Sequence, residues 1–333
     1  MGLVLIGSLT LTACDPPMPP EVLASLAEQT YTCVEGDTQL HAIDTVSSVA
    51  GDWQMSVESN CPGMTITPAA EISEATELQI FRADSSATGT SYGEVPFALD
   101  AVVLAVSLTD ISNVNLSADA IGKIWSGEIT NWNDAELAKL NPNFELPDVD
   151  ISFGVDGDVG ETKSFLDWMA RLAGREIAVA GGSATLEDFA EGSLVLTKYS
   201  KATEQFVNMV GIVTEAGGDG VIPSMETALT AATMFKTKTE NGKVALTFDP
   251  KAKAIAPEGI AIAPIPYQAV TLITLALVGE DSLKTRAAAR YLLRQDSQGS
   301  LGLSSVIALP EMLRAISLAT VSVGLPQPTL APQ

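Results

Sequence analysis

At 333 residues the chain is too long for one ordinary hydrophobic core and suits two. Hydrophobic residues make up 46% of it, which excludes a disordered polar chain and allows a sizeable interior. Its 41 acidic and 18 basic residues give a net charge of −23, a surface that repels nucleic acid and anionic headgroups. The single histidine, His41, leaves no histidine-based triad or multi-histidine metal site, so neither a metal nor a cofactor is expected.

Met1 to Thr10 is largely apolar and runs directly into Leu11-Thr12-Ala13-Cys14. A short apolar run closed by small residues and a cysteine resembles the lipobox of bacterial lipoprotein signal peptides. The resemblance implies a signal peptide over 1–13 and a lipid on Cys14, with the chain held on the extracytoplasmic (periplasmic) face of the cell membrane. One departure is that no Lys or Arg precedes the run; the alternative is an N-terminal segment with an incidental cysteine. The run is too short to cross a bilayer as a helix. Asp15 to Pro20 follows, giving an extended, proline-rich tether over 14–20. With Cys14 lipidated, Cys33 and Cys61 remain as an even pair in an oxidising compartment, and a disulfide is expected between them. Closing that loop removes about 3–4 kcal/mol of unfolded-state entropy on the chain-closure picture. The alternative is two unrelated buried thiols.

Further along, short apolar runs alternate with helical patterns, which points to an α/β class. Val102 to Val106 reads as a buried strand. Asp119 to Trp125 reads as a short helix and Asp134 to Leu140 as another, with Asp134 a plausible cap. Glu161 to Ala173 has helical spacing, with Phe165, Trp168, Met169 and Leu172 on one face. Thr271 to Val278 reads as a strand. Leu283 to Arg294 reads as a helix whose stripe is Leu283, Ala287, Ala288, Tyr291 and Leu292. Leu325 to Gln333 is proline-rich and expected to fray.

The most informative stretch is Ile121-Gly122-Lys123-Ile124-Trp125-Ser126-Gly127-Glu128-Ile129-Thr130-Asn131-Trp132-Asn133-Asp134. Physically, a helix ends at Ser126-Gly127, where glycine suits a left-handed cap, and the chain turns before a new helix at Asp134. Trp125 and Trp132 would pin that turn by burial. The segment resembles a signature of the phosphate-binding proteins that serve phosphate ABC transporters. Val95 to Ala101 resembles the family's crossing between lobes, Pro266-Tyr267 its return, and Gly302-Leu303 with Ala308-Leu309-Pro310 its closing turn. The likeness extends over roughly 36–315.

The resemblance implies a two-lobed periplasmic-binding-protein fold of type II, α/β in class, with a discontinuous first lobe. On that reading lobe 1 is 21–98 plus 265–318, lobe 2 is 99–264, and 319–333 is a flexible tail. It also implies a small solute, phosphate by default, held in the interlobe cleft and delivered to an ABC permease, with no enzymatic chemistry. Such proteins hold the anion with amides at helix N-termini, hydroxyls, an arginine and an acceptor carboxylate. The corresponding candidates are Thr45, Ser47 and Ser48, then Asp84 and Ser85, then Gly160 and Thr162.

The family's main ligand motif is altered. Val155 stands at its arginine position, and Val159 and Glu161 replace two hydroxyl donors. Asp158 and Glu161 have capping-box spacing, so these carboxylates are expected to satisfy the helix amides themselves and block the pocket. Arg82 is a candidate relocated cation, a surface arginine being the plain alternative. The alternative function is a binding-incompetent relative that acts as a partner-binding or structural subunit on the outer face of a membrane complex.

Overall fold

The computed structural model describes residues 30–156, 162–179 and 181–326; Cys14, Asp158, Val159, Gly160 and Glu161 therefore lie outside the described residues. In chain order the strands are β1 (Gly36–Ala42), β2 (Met64–Ala69), β3 (Thr76–Arg82), β4 (Ser91–Val106), β5 (Asn115–Ser117), β6 (Ser152–Val155) and β7 (Ser193–Lys198). They continue as β8 (Asn208–Met209), β9 (Gly211–Val213), β10 (Gly220–Val221), β11 (Phe235–Glu240), β12 (Lys243–Phe248), β13 (Val270–Val278) and β14 (Ile307–Ala308). The helices are α1 (Asp44–Asn60), α2 (Ala118–Ser126), α3 (Ala135–Leu140), α4 (Lys163–Ala173) and α5 (Tyr199–Glu204). After them come α6 (Met225–Ala232), α7 (Leu283–Leu292), α8 (Gln295–Gly299) and α9 (Glu311–Val321).

Strand β4 organises the molecule. Residues Val95 to Val106 are buried without interruption, as expected for a strand covered on both faces. Up to Ala101 it pairs antiparallel with β13; from Val102 to Val106 it pairs antiparallel with β7. The change of partner comes between consecutive residues, so one strand belongs to two sheets.

Each half has its own core. In the first, Val46, Val49, Ala50, Trp53 and Val57 make the buried stripe of α1, which packs on the strands together with α7 and α9. The Trp53 indole donates to the Ser297 carbonyl at 3.0 Å and to Ser300 Oγ at 2.8 Å, so burial leaves it satisfied. The second core gathers Trp125, Trp132, Phe165, Trp168 and Met169 around the end of β4. The turn between α2 and α3 follows the sequence expectation. Gly127 caps α2 in the left-handed region at φ 76°, and Asp134 caps α3 by accepting from the Glu136 amide. Trp132 is fully buried and donates to the Gly192 carbonyl at 3.0 Å. Cys33 and Cys61 form a disulfide across a sequence separation of 28, tying the segment before β1 to the end of α1.

Four details differ from the sequence reading. Ala228, Ala231, Ala232 and Val244, inside the span assigned to the second lobe, are buried in the first core with Phe235 and Leu246 packed against it. Tyr267 and Ala269, assigned to the first lobe, are buried in the second core. The segment from 319 onward is not all tail: Val321 and Leu325 are buried in the first core, because apolar side chains at those positions outweigh the local proline content. Leu283, placed on the buried stripe of α7, is 48% exposed, since it sits in the first turn, beyond the packed face.

Asp100 sits in β4, next to the change of partners, and is buried. Its Oδ1 accepts from the amides of Ala101 at 2.8 Å and Ser200 at 3.0 Å, and its Oδ2 accepts from Ser200 Oγ at 2.5 Å. This fastens the start of α5 to the crossing strand. Burial pushes the carboxyl above the ordinary carboxylate range, against the downward pull of the Ser200 and Ala101 hydrogen bonds. The folded state thus keeps a proton over a pH window in which the unfolded chain has lost it, and stability falls as pH rises through that window. Asp100→Asn removes this titration. In urea unfolding at a series of pH values, the wild type is expected to lose stability relative to Asp100→Asn between acid and neutral pH. Parallel curves would contradict the raised value.

Candidate ligand-binding cleft

Between the two cores lies a cleft of about 300 Å³. Helix α4 supplies one wall with Lys163, Ser164, Asp167 and Arg171; the other comes from Ala83, Phe235, Phe248, Gln268 and the start of β13. Positions 163, 167 and 171 recur every four residues, so they share the face of α4 turned away from Phe165, Trp168 and Met169. That is why one helix serves the core and the cleft together.

Charge in the cleft is distributed unevenly. Lys163 Nζ pairs with Asp167 Oδ2 at 2.5 Å. Arg171 donates from Nη2 to Gln268 Oε1 at 3.0 Å, and its guanidinium lies 5.7 Å from the Phe248 ring centroid. Burial draws the Arg171 pKa down while Asp167 pushes it up. Ser164 Oγ is shielded from solvent and has no hydrogen-bond partner among the described residues.

None of the first-lobe candidates Thr45, Ser47, Ser48, Asp84 and Ser85 is among the described residues that line this cleft. Ala83, which lines it, follows Arg82 at the end of β3, and the Ala83 amide donates to Leu272 of β13 at 3.1 Å. Arg82 Nη2 donates to Thr45 Oγ1 at 2.7 Å, which brings a guanidinium to the first turn of α1. Ile43, the N-cap of α1, supplies no side-chain cap. Ser47 Oγ instead donates to the Asp44 carbonyl at 2.9 Å, and Ser48 Oγ pairs with Ser304 Oγ at 3.2 Å; both residues are exposed. Asp84 and Ser85 are exposed in the loop after β3, with Ser85 Oγ donating to Asp84 Oδ1 at 3.3 Å. Thr162 is buried immediately before α4.

Val155, which the resemblance aligns with an arginine of the family, ends β6 and packs against the second core. Next to it, Asp156 accepts from Thr197 Oγ1 at 3.0 Å and pairs with Lys201 Nζ at 2.7 Å. Lys201 also reaches Glu187 at 3.2 Å. Burial pulls the Lys201 pKa down, but its bonds to the two carboxylates outweigh this and hold it above the ordinary value. The cation here is committed to acids of its own chain.

Arg171, Ser164, Phe235 and Phe248 were not singled out in the sequence. A signal for the first existed in the four-residue recurrence of Lys163, Asp167 and Arg171. For the phenylalanines it lay in Asn241-Gly242, the residues of a tight hairpin turn, with φ 50° and 75°. Glycine is required there twice over, because a Cβ on Gly242 would come within 2.4 Å of the Tyr92 carbonyl. The turn sets Phe235 opposite Phe248 in the β11–β12 register, with ring centroids 5.4 Å apart.

The PBP superfamily domain matches residues 44–257, and the chain belongs to that superfamily. Its fold is the two-lobed type II arrangement of periplasmic binding proteins, and its relatives include phosphate-binding proteins of the PstS type. Phosphate-binding protein PstS3 of Mycobacterium bovis is 24% identical over 200 residues, covering 49% of this chain and 54% of that protein. The chain thus spans about half the length of that relative. Phosphate-binding protein PstS2 of the same organism is 23% identical over 265 residues, covering 68% of this chain and 72% of the relative. Among solved structures, the phosphate-binding protein from Stenotrophomonas maltophilia superposes with a TM-score of 0.52 at 12% identity. The match covers 86% of this chain and 94% of that one, and it bears on the fold alone.

Proposed function

We propose that this protein is an extracytoplasmic solute-binding lipoprotein that closes its two lobes on phosphate or a related oxyanion and presents it to an ABC transporter. One observation carries the reading. In a chain of net charge −23, α4 brings Lys163 and Arg171 to the cleft lining, and Arg82, hydrogen-bonded to Thr45, directly precedes Ala83 on the opposite wall. A hydrated anion crosses a repulsive surface potential to reach the cleft, and only local positive groups and oriented donors offset that cost. The uncapped first turn of α1 adds amide donors and a positive partial charge beside Thr45. Asp84 is the carboxylate able to accept a hydrogen bond from a protonated oxyanion. Attachment through Cys14 would keep the protein beside its transporter.

A second reading is favoured by Val155 and Asp156. With a core-packed valine at the position that the resemblance assigns to an arginine, and Lys201 held by Asp156 and Glu187, the described residues at the end of β6 offer no uncommitted cation to a ligand. On that reading the chain is a binding-incompetent subunit that docks on a membrane complex.

Titration calorimetry with inorganic phosphate separates the two. Solute binding predicts micromolar or tighter affinity, and added stability of about 2.7 kcal/mol at a hundredfold excess of ligand over Kd. Arg82→Gln and Arg171→Gln should each weaken binding by about tenfold or more, as expected for losing a charge-assisted contact. No heat and no thermal shift at millimolar phosphate would leave the second reading standing. For the anchor, Cys14→Ser in the expressed full-length chain should release the protein from the membrane fraction; retention there would rule out attachment through Cys14.

A further inference from the structure

The cleft is larger and more apolar than a bare oxyanion needs. Its volume of about 300 Å³ falls at the lower edge of the range for drug-sized organic ligands. It is also about ten times the ~30 Å³ that one water occupies in the liquid, so a five-heavy-atom tetrahedral anion leaves most of it unfilled. Beyond Arg171 and Ser164 the lining turns apolar: Phe235 and Phe248 stand edge to face, and Val270 and Leu272 of β13 continue that wall. Both phenylalanines are only half-buried, so although Phe235 packs against the first core, each ring keeps surface to offer the cleft. Inorganic phosphate has no apolar surface to place against them and gains nothing from the contact.

We propose that the cleft takes an organic phosphomonoester with an aromatic body in preference to free orthophosphate. The inference rests on the oxyanion reading above and names the substrate class of that same site. The ester's anionic head meets Arg171 at the polar end of the lining, where a rotation of Ser164 would turn its Oγ, unpartnered among the described residues, towards a phosphoryl oxygen. Its ring lies against Phe235 and Phe248, where aromatic contact and removal of apolar surface from water both favour it. Arg171 serves both parts, since its guanidinium lies on the Phe248 side of the cleft while its remaining donors stay within reach of an anion.

Calorimetry on the full chain with two probes, orthophosphate and phenyl phosphate, tests this. Phenyl phosphate is expected to bind about tenfold tighter than orthophosphate or better. Phe248→Leu should weaken phenyl phosphate far more than orthophosphate, so that the ratio of the two affinities falls most of the way to one. Phe235→Leu serves as the second variant should Phe248→Leu melt at a much lower temperature. Equal or weaker binding of phenyl phosphate, with orthophosphate still bound, overturns this inference and leaves the oxyanion reading intact. Equal weakening of both probes in a stably folded variant makes the ring a structural element and also overturns it. Binding of neither probe defeats both the inference and the reading beneath it.

Discussion

Everything in this molecule is arranged around a strand that must satisfy two sheets. Strand β4 pairs with β13 as far as Ala101 and with β7 from Val102 onward, so its backbone hydrogen bonds are divided between the lobes at one peptide. The return passage is held just as closely: the Val102 amide donates to the Ala269 carbonyl at 2.9 Å, and the Tyr267 hydroxyl to the Val102 carbonyl at 2.9 Å. Rotation of one lobe against the other is therefore confined to a few residues, and the cleft lies along that joint. Asp100 reinforces it with three hydrogen bonds in a dry environment, where each is worth more than in water.

Electrostatics gives the cleft its character. A surface of strong negative charge disfavours the approach of any anion, and salt weakens that repulsion. Against that background, the positions of the few cations matter more than their number. Lys201 is spent on Asp156 and Glu187, and Lys163 on Asp167, whereas Arg171 donates to a neutral amide, lies near an aromatic ring and feels Asp167 without an ion pair to it among the described residues. Among the described residues, the cleft thus keeps a positive group with hydrogen-bonding capacity to spare on the second-lobe side.

Much of the fold was legible because single residues determine local geometry. Gly127, Asp134 and the two tryptophans of the α2–α3 turn each have one good structural solution, and the chain adopts it. The division between lobes was less legible. The β11–β12 hairpin and α6 come late in the span expected for the second lobe, yet they complete the first core, because a core is filled by whichever apolar face reaches it. The Asn241-Gly242 turn was a readable signal for the hairpin, but nothing local says which sheet it joins. The candidate site was read through family positions, and of those Thr45 proved to be joined to Arg82. Arg171 and the two phenylalanines escaped notice because their shared location arises only when distant segments pack together.

Small-angle scattering on the full chain, with and without saturating phosphate, measures the central claim: that the lobes turn about β4 to enclose an oxyanion. The account predicts a smaller radius of gyration when phosphate is present, reversed on its removal. An identical scattering profile in both conditions would mean that the joint is rigid or the cleft empty, and would contradict it.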